Sequence, residues 1–483
     1  MTAPPKQGSH ALRRRRIAIC GGGVAAIEAL LGLRALLGLA PHVDLVAPNR
    51  HFVYEPLAVA EPFGLAQTRI FDVAAVAAEY RSQLHVASLE AVEPGSGRIV
   101  LSGGATLWYD CVIVAVGARR CAWLPGALHF TGAADVASFR ALLAQLERGD
   151  FSRVAFAAPA GISWTLPTYE LALLTASWVA DRHLTGIEIA IFTPEEQPLA
   201  SFGPTASRAL RDVLADRGIR LRVNAGAETF VPGALRLTSG ESFEVDQVLA
   251  LPRLEGPRLA GLPADDLGFI EIDDHARVVG LDNVYAAGDA TSFPIKQGGL
   301  ATQQADAAVE TIAARLGAGV KPSTFQPILR GMLLTGIAPT YLRATINGDF
   351  PEHGEFAATP LWWPPTKIAG RYLGPYLTEI ARREEGTALE DQPVSSDDPE
   401  RCRRATAKRV SSRSPSRSPM RTARTTPQRF AGSRSSSSWT GSSRQAISRN
   451  APSGESAPTG ESPRSVYARR RGPRHWGALA VWT

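Results

Sequence analysis

Three consecutive glycines, Gly21-Gly22-Gly23, follow the apolar run Arg16-Ile17-Ala18-Ile19-Cys20 and precede a helical pattern through Ala29, Leu33, Leu36 and Leu37. Gly21, Gly23 and Ala26 fill the G-x-G-x-x-G/A spacing, and the chemistry that spacing serves is the holding of a pyrophosphate. The first glycine permits a tight turn and the second lets a phosphate approach the backbone. A small third residue lets helix and strand pack closely, while the helix N-terminus faces the phosphate charge. With Val43 to Val46 as a second strand, residues 16 to 47 read as one βαβ unit. The acidic residue expected near the end of that strand, to bind ribose hydroxyls, would fall near Ala47, where the sequence is Val46-Ala47-Pro48-Asn49. Asn49 or backbone groups take its place.

Two later strands also stop at glycines: Tyr109 to Gly117-Ala118, and Asp282 to Gly288-Asp289. With the first turn, they make the sequence resemble the FAD-containing pyridine nucleotide-disulfide oxidoreductase superfamily. The resemblance spans roughly residues 15 to 380 and is nearest the sulfide:quinone oxidoreductase and type II NADH dehydrogenase branch. It implies that Ala115-Val116-Gly117 brings backbone against the flavin nucleotide, with Ala115 and Gly117 in contact. It also implies that Gly288-Asp289 sets a carboxylate on the ribityl hydroxyls, which an ionised acid binds by short hydrogen bonds. Pro56, in Phe52 to Leu57, is implied near the flavin. The stretch Pro294 to Asp306, with Lys296, Leu300 and Ala301, is implied to start a helix aimed at the isoalloxazine. A helix N-terminus there favours negative charge on a reduced flavin. Lys296 either adds a cation to that field or is a solvated first-turn residue.

The middle of the chain, residues 151 to 265, alternates strands and helices as a second α/β unit: Val154 to Ala157, Pro167 to Arg182, Ile187 to Thr193, Thr205 to Arg217, Ile219 to Val223 and Asp246 to Leu251. Its first turn reads Ala157-Ala158-Pro159-Ala160-Gly161-Ile162-Ser163-Trp164. Proline removes a donor N–H, so the usual phosphate cradle is not encoded and NAD(P)H is a doubtful cofactor. In the sulfide:quinone branch a catalytic cysteine is implied where Trp164 stands, beside Pro167-Thr168-Tyr169-Glu170. Sulfur transfer needs a thiolate. Of the four cysteines, only Cys121 lies near the Gly117 turn, and a buried structural role suits it better. The weak catalytic candidates are therefore Lys296 and Cys121; the remaining catalytic residues are unknown. No metal site is encoded, since no CxxC or Cys/His cluster occurs.

Beyond residue 321, Leu329 to Thr335 and Pro339 to Thr345 read as strands. Thr366 to Arg382 reads as a helix, with Pro375 as a break or kink. Trp362, Trp363, Lys367 and Arg371 suit a membrane interface, where amphipathic rings and basic tips are favoured; a helix packed back on the flavin domain is the competing expectation. The segment Arg13 to Arg16 followed by Ile17 to Ala40 imitates a signal peptide. Glu28, Arg34 and the glycines argue against one.

The 483 residues carry 52 Lys+Arg against 46 Asp+Glu, a net charge of +6. From Ser395 onward there are 18 Lys+Arg, five Asp+Glu and 19 serines, a charge of +13, which leaves −7 for the first 394 residues. The basic tail is expected to be disordered, to contact polyanions only through charge, and equally to be an out-of-frame translation; no specific nucleic-acid partner follows from it. The acidic part is long enough for two or three domains, excluding a disulfide mini-domain or a fibre. The fold expected is α/β, with two Rossmann-like (FAD/NAD(P)-binding) three-layer domains, a small C-terminal region and a disordered tail. Its segments are residues 1–14, a disordered N-terminus; 15–150, the FAD domain; 151–265, the second Rossmann-like domain; 266–320, the FAD domain's return; 321–390, the C-terminal region; and 391–483, the tail. The function expected is an FAD-dependent oxidoreductase passing electrons from a small-molecule donor to a quinone-like acceptor. The alternatives are an NAD(P)H dehydrogenase with an atypical loop and a low-turnover flavin-binding redox module. A cytoplasmic location fits the cysteine usage, with peripheral contact at the cytoplasmic membrane face as a variant, and the oligomeric state is unknown.

Overall fold

The computed structural model describes residues 15–161, 164–346 and 354–390, with side chains to residue 383. The expected disordered termini, 1–14 and 391–483, lie outside the described residues.

The first sheet is built from short strands of three to six residues, most of them apolar and buried on both faces. β1 (Arg16–Cys20), β2 (His42–Ala47), β3 (Gln83–Val86), β4 (Cys111–Val114) and β10 (Val284–Ala286) lie in the order β10-β4-β1-β2-β3, all parallel. β1 pairs Arg16 with His42 and Cys20 with Val46, so both strands end level with the glycine turn. α1 (Val24–Leu37) is buried over most of its length between this sheet and α6 (Gly298–Arg315). That explains its apolar sequence without a membrane. Its two internal charges are satisfied: the Arg34 guanidinium donates to the carbonyls of Tyr80, Pro41 and Arg81, and Glu28 accepts from backbone. Among the described residues no helix is long and apolar enough to cross a membrane.

The second sheet repeats the plan. β5 (Leu128–His129), β6 (Arg153–Ala157), β7 (Glu188–Phe192), β8 (Arg220–Arg222) and β9 (Gln247–Ala250) run parallel in the order β5-β9-β6-β7-β8. Helices α3 (Val136–Arg148), α4 (Leu166–Asp181) and α5 (Gly203–Asp216) accompany it, and α2 (Val73–Glu79) belongs to the first unit. Two antiparallel meanders, Leu89 to Trp108 and Ala227 to Val245, are additions that the sequence reading did not mark. A C-terminal antiparallel sheet, β11 (Ile328–Leu333), β12 (Thr340–Thr345) and β13 (Gly354–Ala357), follows.

The helix expected from Thr366 begins instead at Leu373, as α7 (Leu373–Glu390). The seven residues before it form a strap held in part by side chains of the first domain. Ile368 N–H donates to the Tyr54 hydroxyl (3.1 Å), and Tyr372 and Leu373 N–H donate to the Glu28 carboxylate (2.8 and 2.6 Å). Glu28 thereby caps α7 from the core of the first domain, where its charge meets the helix's positive end. Pro375 falls in the first turn, where a missing N–H leaves no bond unmade, so it neither breaks nor kinks the helix. Lys367 turns inward as well. Lys367 bonds Glu170 (2.6 Å), which withdraws it from the membrane-facing role expected of it, whereas Arg371 bonds Glu310 (2.7 Å) and stays exposed.

Burial and the neighbouring Glu28 carboxylate push Asp306 up to about 8, opposed by Arg371 and helped by Glu310. Glu28, gripped by two N–H groups, holds the charge, and Asp306 holds the proton. An acid raised in the folded state binds more protons there than when unfolded, so its contribution is present below the unfolded value and fades as pH rises toward about 8. In thermal melts, Asp306→Asn should therefore gain on the wild type steadily between about pH 4 and pH 8. A pH-independent difference would refute the shared proton.

Candidate functional site

A cavity of about 550 Å³ opens where the C-terminal ends of β1, β2, β4 and β10 meet the start of α1. Each wall follows from a local backbone requirement. Gly21 holds φ +141°, its N–H donates to Val46 C=O (2.7 Å), and a Cβ on it would lie 2.1 Å from the Ala115 carbonyl oxygen. Gly23 caps α1, and a Cβ there would meet nothing within 4 Å, so its missing side chain leaves space in the cavity rather than relieving a clash. No side chain caps α1, which leaves its first N–H groups facing the cavity, the arrangement that suits a phosphate. Ala26 is fully buried and serves helix–strand packing.

Ala115 and Gly117 (φ +75°) line the opposite rim, and Pro56 and the exposed Asn49 line the cavity too. Gly288 (φ +79°) sits where a Cβ would be 3.3 Å from both Ala25 and Ala301, bringing α1, α6 and the end of β10 together. Its N–H donates to Gln304 Oε1 (2.7 Å), which aims the turn. Asp289 follows and lines the cavity, and among the described residues its carboxylate accepts no hydrogen bond. Burial raises its pKa, and the charges of Lys296 and Arg120 pull it back down. A buried carboxylate with unused acceptor capacity fits a ligand rich in hydroxyls. Ala301 lines the cavity, whereas Leu300, on the adjoining turn of α6, points into the core and is 1% exposed.

A second cavity of about 220 Å³ shares six wall residues with the first: Glu55, Pro56, Arg120, Asp289, Gly298 and Ile368. Its far side comes from the second domain and the C-terminal region. Trp164 is there, tilted against Phe202 at 6.0 Å, and so is the ion pair Lys367–Glu170, with side chains only 7% and 1% exposed. Burial raises the Glu170 pKa against the opposing pull of Lys367. The two residues are 197 apart in sequence, so no local motif could have paired them. Lys296 lines this cavity as well. It is no solvated first-turn residue: its Nζ lies 3.7 Å over the Phe269 ring and donates to the Thr291 carbonyl, and burial lowers its pKa to about 8. Cys121 lies on the edge pairing Arg119–Cys121 with Arg253–Glu255, half-buried, and lines neither cavity.

The turn after β6 differs from the turn after β1. α1 starts four residues beyond Cys20, whereas α4 starts nine beyond Ala157, after Pro159 and Gly161. The acid after the second strand of this domain, Glu195, was not singled out from sequence. It is held from within by the Tyr169 hydroxyl (2.6 Å) and the Thr193 hydroxyl (2.9 Å). Among the described residues no group of three or more His, Cys, Asp or Glu side chains is placed to hold a metal ion.

Two parallel Rossmann-like sheets with a glycine-lined groove at the strand ends define the doubly wound class of fold, in which dinucleotides bind at the strand ends. The chain belongs to the pyridine nucleotide-disulphide oxidoreductase family, whose model matches residues 15–311. It is thereby an enzyme of the FAD-dependent oxidoreductase class. An NADH dehydrogenase-like protein of Mycobacterium tuberculosis is 26% identical over 312 residues, 57% of this chain and 73% of its own. The ferredoxin reductase component of a Cupriavidus chlorobenzene dioxygenase is 27% identical over 307 residues, 59% and 68% respectively. In fold, the sulfide:quinone oxidoreductase of Aquifex aeolicus superposes with a TM-score of 0.65 at 18% identity, covering 71% of this chain and 86% of that one.

Proposed function

We propose that the larger cavity binds FAD and that the chain passes electrons from a small-molecule donor to a quinone-like acceptor in the second cavity. The observation that carries this reading is the shared wall: a ligand filling the glycine groove as far as Asp289 abuts the second cavity through the six residues common to both. The residues present fit FAD. Gly21 and Gly23 with the start of α1 would hold the pyrophosphate, Asp289 the ribityl hydroxyls, and Pro56, Gly117 and Ala301 the flavin surroundings. FAD, when bound, supplies the redox chemistry. The protein orients it and excludes water, and the Glu170–Lys367 pair is placed to hold a proton beside the acceptor.

The donor side is argued from the second domain. Pro159, the longer turn and the internal use of Glu195 by Tyr169 all count against NAD(P)H binding there, although the family includes proteins that use it. Contact with a membrane face would rest on Trp363, which is 80% exposed.

Purified protein should be yellow, with flavin absorbance. Asp289→Ala should lose most of the bound flavin, since a charged hydrogen-bond acceptor contributes about 1.5–3 kcal/mol, roughly ten- to hundredfold in affinity. Undiminished flavin in that variant refutes the role given to Asp289. Anaerobic mixing with NADH should leave the flavin oxidised, and rapid bleaching would restore the NADH dehydrogenase reading.

A further inference from the structure

The second cavity carries an unbalanced charge. Four cations line it: Arg120, Lys296, Arg330 and Lys367. Three carboxylates face them, and three of the cations are accounted for. Lys367 bonds Glu170 (2.6 Å), Arg120 lies 3.8 Å from Glu55, and Lys296 and Asp289 act on each other electrostatically. Arg330, on β11, is left over. Its side chain makes no hydrogen bond to a protein acceptor among the described residues, and its Nε is enclosed without a partner. The nearest charge on the neighbouring strand is a like one: Arg343, register partner of Arg330 across β11 and β12, whose own counter-ion is Glu355 (3.8 Å). An arginine cannot shed its proton to escape this cost, so the guanidinium stays charged, with Nε enclosed and unpaired and no protein acceptor on its other donors among the described residues.

Much of the rest of the lining is apolar. Phe130, Trp164, Leu251, Pro252 and Met332 surround the charged groups. Trp164 is packed on Phe202, and a Cβ at Gly331 would lie 2.8 Å from the Phe202 ring, so this wall is close-packed. A planar ring fits between such surfaces, and a carboxylate on that ring would complete the fork of Arg330 with two parallel hydrogen bonds.

We propose that the acceptor cavity selects a small aromatic or quinonoid molecule bearing a carboxylate, and that Arg330 is the residue that reads the charge. This rests on the second cavity being the site of the electron-accepting molecule. It deepens that reading by assigning the ligand an acidic group and a protein partner for it.

The test is calorimetric titration of the purified holoprotein with a carboxylated naphthoquinone and with its uncharged methyl ester, in wild type, Arg330→Met and Arg330→Lys. Wild type should bind the acid at least about tenfold more tightly than the ester, as a charge-assisted pair requires. Arg330→Met should bring the two ligands to within about twofold while leaving the ester's affinity unchanged, and Arg330→Lys should keep only part of the preference. The Arg330 side chain makes no internal bond, and both substitutions keep the backbone that accepts from Gln297, so the variants should fold; matching melting temperatures check this. Equal affinity of wild type for acid and ester overturns the proposal, and so does a preference that survives in Arg330→Met. Flavin absorbance recorded on the same samples separates the two readings. A colourless protein whose acid preference depends on Arg330 defeats the flavin assignment and keeps this one. A yellow protein without the preference does the reverse.

Discussion

Gly21→Ala is expected to yield a protein that melts well below the wild type and carries no flavin. The added Cβ would lie 2.1 Å from the Ala115 carbonyl oxygen and 2.6 Å from its carbon, far inside contact distance, and both atoms are backbone. Neither side can step away. Gly21 N–H is bonded to Val46 C=O, Ala115 N–H to Cys20 C=O (2.7 Å), and Ala287 N–H to Val114 C=O (3.0 Å), so the turn is tied into four parallel strands at once. The positive φ adds strain of about 1–3 kcal/mol for any residue with a side chain. Gly23→Ala is the informative partner. Its Cβ meets no protein atom within 4 Å and its φ of −98° suits alanine, so its stability should stay within about 0.5 kcal/mol of wild type. Only a ligand at the groove would feel that methyl. Loss of flavin in Gly23→Ala without loss of stability places the pyrophosphate at the turn, and full flavin content in that variant would remove it.

These glycines were legible in the sequence because what they supply is local. A strand end, a tight turn and a helix start occupy six adjacent residues, and only certain residue types satisfy the backbone there. The same holds for Gly117 and Gly288, both with positive φ at the end of a strand. The start of α7 was not legible. Thr366 to Tyr372 has helical spacing, but the N–H groups of Ile368 and Tyr372 are claimed by Tyr54 and Glu28, more than 300 residues away in sequence, and that competition is invisible to a periodicity. Leu300, expected beside a flavin, lines neither cavity for a related reason. The stretch was matched as a whole, and only the rotation of α6 decides that Ala301 faces the cavity and Leu300 the core. Arg330 and Glu195 carry no motif at all. What distinguishes the first is a missing partner and the second an internal one, and both are properties of the packed structure.

Lys367→Met should be the most destabilising change outside the glycine turn. Glu170 is 1% exposed, and among the described residues its only charged partner is the Lys367 ammonium, with Leu334 N–H as a further donor (2.9 Å). Removing one member of a buried pair leaves the other uncompensated, a loss of about 3–5 kcal/mol. The pair also fastens the strap to α4, so its rupture loosens the segment that walls both cavities through Ile368. Glu170 can soften the loss by taking up a proton. Burial already raises its pKa, and without Lys367 nothing charged opposes that rise. A raised acid contributes stability below its unfolded value, about 4.3, and loses it as pH climbs toward the folded value. The deficit of Lys367→Met relative to wild type should therefore be small near pH 4 and grow through neutrality. Adding Glu170→Gln should recover most of the loss, since a neutral amide still accepts from Leu334 and leaves no buried charge. Urea unfolding of the wild type, both single variants and the double variant, at pH 5 and pH 8, measures the coupling. A double variant no more stable than Lys367→Met, or a deficit that does not change with pH, would show that the two side chains are held in place by something other than each other.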